Sequence, residues 1–241
     1  MSEPLKVWSK FSVTKKDGSV LNLRIVDIPK DPKIMEKALD AYFNYFVKEE
    51  RQFKAAGVPD SEEAMQELRA VFDYGMNSDS QQKIEFSICC LDTGDDQIND
   101  VIGGSIMIYK TQADEKKKHV FKAEALNKVS QMAEDLTEIY DDMRAFNLDR
   151  YFVCRGVFVC PEYRGLGIAQ EFFRIRRLIS KEYGIPINGA WMSSPGTQKA
   201  AERDGWETVC ELKFADLEKK FNVTFEKFPP TIKYMIARIP L

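Results

Sequence analysis

Residues 151–169 constrain this chain more than any other stretch. A mostly apolar run over 151–160 is followed by Arg164-Gly165-Leu166-Gly167-Ile168-Ala169, and a helical pattern begins at once. An apolar run of this length reads as a buried strand. The two glycines form a tight turn between strand and helix. The first N–H groups of a helix have no partner inside it, and the helix dipole adds partial positive charge there. Glycine lets another group approach the backbone closely. The turn is therefore suited to a diphosphate, with Arg164 able to add a charge-assisted contact. A tight turn that binds nothing has the same spacing.

The other elements follow from periodicity and turn residues. Residues 10–28 read as a hairpin around Lys16-Asp17-Gly18. Asp31 and Pro32 open a helix expected to run to about Ala56. A second helix begins at Ser61 and ends near Gly75. Strands are expected over 83–91 and 101–109, and a charged loop over 114–119. Leu126, Val129, Met132, Leu136, Ile139, Met143 and Phe146 recur at steps of three and four, which is one amphipathic helix. After the glycine turn come a helix over 165–183, a strand at Ile187–Met192, a short helix over 195–204, and strands over 206–212 and 232–239. This order suggests one mixed α/β sheet covered by helices. The 241 residues show no linker, so one domain over 1–241 is expected.

Composition narrows the partners. With 44% hydrophobic and 30% charged residues the chain is globular. A net charge of −3 argues against a broad nucleic-acid surface. No apolar stretch approaches the roughly 18 residues of a membrane span, and the N-terminus shows no secretory leader. Five cysteines without a C-x-x-C pair fit reduced thiols in a cytoplasmic protein, with no metal site.

Two common nucleotide motifs fail at the turn. A Rossmann site needs a third glycine, where Gln170 stands, and an acidic residue at the next strand, where none occurs. A P-loop needs Gly-Lys-Ser/Thr, which is absent. What remains is a hydrophobic strand followed by R-x-x-G-x-A, from Arg164 to Ala169. This resembles the acetyl-CoA signature of the GNAT acetyltransferase superfamily. The stretch Ala200-Ala201-Glu202-Arg203-Asp204-Gly205-Trp206 resembles that family's helix ending in Gly-aromatic. The closest resemblance is to insect arylalkylamine N-acetyltransferases. Their Lys-Asp/Glu-Glu segment is matched by Lys48-Glu49-Glu50, and their Ser-Ser-x-x-Ser by Ser193-Ser194-Pro195-Gly196-Thr197.

The resemblance implies a GNAT-like α/β fold, a mixed central sheet flanked by helices. It implies acetyl-CoA as co-substrate. Its pyrophosphate would sit on the backbone of Arg164, Gly165, Leu166, Gly167, Ile168 and Ala169, with Ser194 nearby. Its pantetheine would pair along Val157, Phe158 and Val159. It also implies a catalytic Glu50, with hydroxyl support from Ser193 and Thr197. Two positions depart from the pattern. Ala201 stands where many GNAT enzymes carry a tyrosine acid, as is common in the insect group. Thr197 replaces the last serine, with restricted rotamers.

Glu50 can be read without the resemblance. Leu39, Phe43, Phe46, Glu50 and Phe53 follow steps of four, three, four and three, so a continuous helix would place Glu50 on its apolar stripe. Glu49 would point about 100° away. A helix-end carboxylate reaching for water fits the same pattern. His119 reads as a solvated loop residue. Arg174, Arg176, Arg177 and Lys181 read as a solvated helix face that could approach a CoA phosphate. Tyr42, Tyr45, Phe46, Phe72 and Tyr74 read as core or as the wall of an aromatic pocket. Phe214, Phe221, Phe225 and Phe228 lie in a long segment before the last strand, near the family's acceptor site.

The expected function is acetyl transfer from acetyl-CoA to a small primary amine, an arylalkylamine such as dopamine, tyramine or tryptamine. Acetylation of polyamines or protein N-termini, and a non-catalytic acyl-CoA-binding module, are the alternatives. Residues 41–80 hold eight acidic and four basic residues, which favours a cationic acceptor.

Overall fold

The computed structural model describes residues 5–77, 83–114 and 120–241. His119 lies outside them. The N-terminal hairpin pairs β1 (Val7–Thr14) with β2 (Val20–Asp27), and Gly18 supplies the positive φ of its turn. Helix α1 (Pro32–Tyr42) starts where expected, its first N–H groups capped by the Asp31 carboxylate. A π-helical turn at Phe43–Val47 follows, then α2 (Arg51–Ala56), a 3-10 turn at Val58–Asp60, and α3 (Glu62–Asn77). Next come β3 (Ile84–Leu91), β4 (Gly103–Thr111), α4 (Glu124–Ile139), α5 (Asp142–Ala145) and β5 (Arg150–Val159). The chain ends with α6 (Ile168–Glu182), β6 (Ile187–Met192), α7 (Pro195–Arg203), β7 (Glu207–Lys213), α8 (Phe214–Phe221) and β8 (Thr231–Arg238).

The expected α/β architecture is present, with helices flanking a central sheet. The sheet comes in two parts where one was expected. Five antiparallel strands run in the order β1-β2-β3-β4-β5, and three more in the order β6-β8-β7. β5 and β6 pack beside each other without a ladder among the described residues. A bulge interrupts β5 at Arg155, beside Gly156 at φ 127°. Bulges increase local twist and end regular pairing, and this one sits where the two sheets separate.

Two apolar layers enclose the larger sheet. On one face Phe86, Ile88, Ile106 and Phe158 pack against Leu39, Tyr42 and Leu126 from α1 and α4. On the other, Leu23, Ile25, Met107 and Phe152 meet Ile168, Phe172, Ile175 and Ile179 of α6. At roughly 1.5–3 kcal/mol for each fully buried side chain, α6 is fixed firmly behind the turn it begins.

Three sequence-based expectations change. The first helix does not run to Ala56: it tightens into the π turn, and Glu50 is extended, at φ −67° and ψ 134°. Periodicity missed this break because Phe46 and Phe53 are apolar on either side of it. The helix expected over 126–146 is two helices, parted by extended residues at Tyr140 and Asp141. The segment before the last strand contains α8, whose Phe214 and Leu217 are buried with Phe225 against Met132 and Leu136.

Candidate active site

The glycine turn is open. Gly165 and Gly167 sit at φ 82° and 85°, and a Cβ built on either meets no atom within 4 Å. Gly167 is the N-cap of α6, and no side chain caps this end. The first N–H groups of the helix therefore face open space, as an anion site requires. Ile168 is buried and anchors the start of the helix, whereas Arg164, Gly165 and Gly167 are exposed.

Arg164 reaches away from this turn. Its Nε donates to the carbonyl of Val159 (2.9 Å), and its Nη2 meets the Glu49 carboxylate at 2.8 Å. Glu49 is thus a partner of the turn rather than a bystander on an unused helix face. Val157, Phe158 and Val159 pair with Ser105, Gly104 and Gly103 along one edge of β5. Phe158 is buried over Gly104, where a Cβ would lie 2.6 Å from its ring. The opposite edge of β5 faces β6 and joins no ladder among the described residues.

Glu50 is the N-cap of α2. Its Oε2 accepts from the backbone N–H groups of Gln52 (2.7 Å) and Phe53 (3.0 Å). Its Oε1 accepts from the Ser193 hydroxyl at 2.9 Å. Burial pushes the Glu50 carboxyl above the ordinary glutamate range, while these three donors pull it partly back. The π turn places Glu50 here: Phe46 stacks on Tyr42 and covers Gly156, and the extra residue lets the chain leave the helix at Glu50. Such π turns recur at functional positions.

The structure joins Glu50 to Ser193 but places Thr197 elsewhere. Thr197 is tied to Ser194, the N-cap of α7. Its N–H donates to Ser194 Oγ (3.2 Å), the two hydroxyls lie 2.9 Å apart, and its own hydroxyl donates to the Ser194 carbonyl (3.0 Å). Ser194 and Thr197 therefore act as a capping pair in this geometry.

The remaining candidates separate by burial. Arg176 is fully buried, not solvated, and donates to Ser105, Cys154 and the Gly156 carbonyl. Arg174 is held by Glu171 and Arg177 by Asp204. Tyr42 is buried, its hydroxyl donating to the Arg155 carbonyl, whereas Tyr74 is exposed. Phe214 lies under the guanidinium of the buried Arg51, and Phe228 is exposed. Sequence reasoning passed over Asp142, which lies against Gly189 in the middle of β6. Its only sequence signal was the Asp141-Asp142 pair inside a supposed helix. Among the described residues no helix is long and apolar enough to cross a membrane.

The Glu49 contact carries a prediction. Glu49→Gln should release Arg164 toward the turn and tighten the binding of a diphosphate there, with inorganic pyrophosphate as the probe, about two- to fivefold. That is the worth of an exposed ion pair, roughly 0.5–1 kcal/mol. Titration calorimetry checks it; an unchanged or weaker affinity would show that Glu49 does not restrain Arg164.

The sequence matches no family model and no curated relative. Solved structures do match. One, described as arylalkylamine N-acetyltransferase 7 from the yellow fever mosquito Aedes aegypti, superposes with a TM-score of 0.82 at 22% identity, over 99% of this chain and 97% of that one. Arylalkylamine N-acetyltransferase 2 from Aedes aegypti gives 0.71 at 16% identity, over 90% and 99%. A polyamine N-acetyltransferase from Drosophila melanogaster that forms N-acetylagmatine gives 0.67 at 12% identity, over 89% and 100%. Over nearly its whole length, the chain has the GNAT-type fold of the insect arylalkylamine N-acetyltransferases.

Proposed function

We propose that this protein is an N-acetyltransferase that moves an acetyl group from acetyl-CoA to a small primary amine, an arylalkylamine, with the whole chain acting as one catalytic domain. The observation that carries this reading is the pairing of two features on opposite sides of β5. An uncapped glycine turn opens α6, and a half-buried carboxylate, Glu50, is bonded to Ser193 at the end of β6. The first suits a pyrophosphate and the second suits a base.

The backbone of Gly165, Leu166, Gly167, Ile168 and Ala169 would hold the pyrophosphate, and Arg164 would swing from Glu49 to join it. The free edge of Val157–Val159 offers backbone groups to the pantetheine and donors to the carbonyl oxygen. Bound acetyl-CoA supplies the thioester that the amine attacks. Glu50 accepts the proton that an ammonium must lose before it can attack. Ser193 orients Glu50 through its hydrogen bond. Ser194 and Thr197 hold the start of α7 and hence the position of Ser193.

The acceptor class rests on the resemblance of the Lys48-Glu49-Glu50 and Ser193-Ser194 segments and on the aromatic rings near β6 and β8. Trp191 and Tyr234 meet edge-on at 5.0 Å, and Tyr140 lies 4.7 Å from Tyr234. Turnover with acetyl-CoA should therefore give higher kcat/KM for tyramine, dopamine or tryptamine than for spermidine or N-terminal peptides. A higher value for spermidine or peptides would overturn the acceptor assignment. Absence of turnover with every amine, despite acetyl-CoA binding, would favour an acyl-CoA-binding module.

A further inference from the structure

Successive residues of a strand alternate between its two faces. Gly189, Trp191 and Ser193 therefore share the side of β6 that carries Glu50. Ser193 holds Glu50 at one end of this row. At the other end, a Cβ built on Gly189 would lie 2.1 Å from Asp142 Oδ2 and 2.6 Å from the Tyr234 hydroxyl. A second carboxylate thus occupies the space that a larger residue at 189 would fill. β5 and β6 are the facing end strands of the two sheets; Trp191, Ser193 and Val153 there are half-exposed and Arg155 is exposed. The row from Ser193 to Gly189 is thus partly open to solvent at Trp191, between the two carboxylates.

Asp142 is 4% exposed and incompletely satisfied. Its Oδ2 accepts from the Tyr234 hydroxyl at 2.8 Å, and its buried Oδ1 has no hydrogen-bond partner. The neighbouring Asp141 pairs with Arg144, so that cation is engaged elsewhere. Leaving a buried carboxylate oxygen unpaired is costly, and such a group is primed for a donor. Burial pushes the Asp142 carboxyl up to about 6, which leaves it mainly ionised at neutral pH.

We propose that Asp142, with Tyr234, is a specificity-determining residue at the far end of the acceptor site, where it binds a second hydrogen-bond donor of the amine. This deepens the N-acetyltransferase reading and rests on it. The donor is a phenolic hydroxyl or a cationic nitrogen. Ser193 and Gly189 are four residues apart, about 13 Å at roughly 3.3 Å per residue. Hydrogen bonds of about 3 Å at each end leave roughly 7 Å between the two donors. That span suits an arylethylamine with a para hydroxyl, such as tyramine, or a short amine with a second cation, such as agmatine. Phenethylamine has the same arylethyl frame as tyramine but carries no second donor.

The test is Asp142→Asn in the full chain, with these three amines. kcat/KM for tyramine, for agmatine, or for both should fall roughly tenfold to hundredfold, mainly through KM. Phenethylamine should change less than about twofold, since it leaves Asp142 untouched. Which amine loses identifies the donor. Tyr234→Phe keeps the ring and should shift the same amines selectively, which covers an Asp142 variant that fails to fold. Equal losses for all three amines would reduce Asp142 to a structural group, and no loss for any would remove it from the site; either result overturns the proposal. Calorimetric binding of tyramine and agmatine separates the two readings. Binding by the wild type that Asp142→Asn abolishes, without turnover, supports the donor site while the transferase reading fails. No binding of either amine by the wild type overturns the donor site.

Discussion

Replacing Glu50 by glutamine is expected to lower kcat/KM for the amine by about 10²–10⁴-fold, the usual worth of a general base. This equals roughly 3–5 kcal/mol of barrier. Glutamine keeps the side-chain length and an oxygen for the N–H groups of Gln52 and Phe53, so α2 should stay capped. Alanine would also remove the cap, at about 1 kcal/mol of stability. The pH profile adds a second signature. A general base at Glu50 would work only when ionised, and burial raises the pKa of this carboxyl. The acid limb of kcat/KM should therefore fall at a pH above the ordinary glutamate range and disappear in Glu50→Gln. Activity should partly return at high pH, where the amine is already neutral. Acetyl-CoA affinity should be unchanged, because the turn lies on another element. A variant with normal rates at neutral pH would exclude Glu50 from the chemistry.

Gly167→Val is expected to abolish acetyl-CoA binding. At 100 times the dissociation constant, the wild type should gain about 2.7 kcal/mol of stability from ligand. For a chain of this size that is a rise in Tm of several degrees, at roughly 2–4 °C per kcal/mol. A valine at φ 85° would be strained by about 1–3 kcal/mol, and its side chain would fill the open space in front of α6. Gly18→Val is the control, because Gly18 has nearly the same φ, 84°, in the distant hairpin turn and is equally unobstructed. It should lose similar stability yet keep the full acetyl-CoA shift. A retained shift in Gly167→Val would place the pyrophosphate elsewhere.

Local chemistry was legible in the sequence wherever a few adjacent residues decide the outcome. The strand, glycine turn and helix from 151 to 182 are of this kind, because apolar run, positive-φ glycines and helical periodicity all act within neighbouring turns. The Asp31 cap and the Gly18 hairpin are of the same kind. Tertiary packing decided what periodicity cannot register. The apolar steps through Phe46, Glu50 and Phe53 fit a straight helix, but packing Phe46 over Gly156 converts that helix into a π turn and a cap. Glu50 became a half-buried group bonded to Ser193 only because residues 143 apart in sequence meet there. Arg164 and Glu49 come together in the same way. The division of the sheet at β5 and β6, and the lodging of Asp142 against Gly189, likewise depend on which strands lie side by side. The sequence by itself determined the turn that can receive an anion. The tertiary structure decided where Glu50 and Asp142 sit along β6, because their positions depend on long-range packing that no local period encodes.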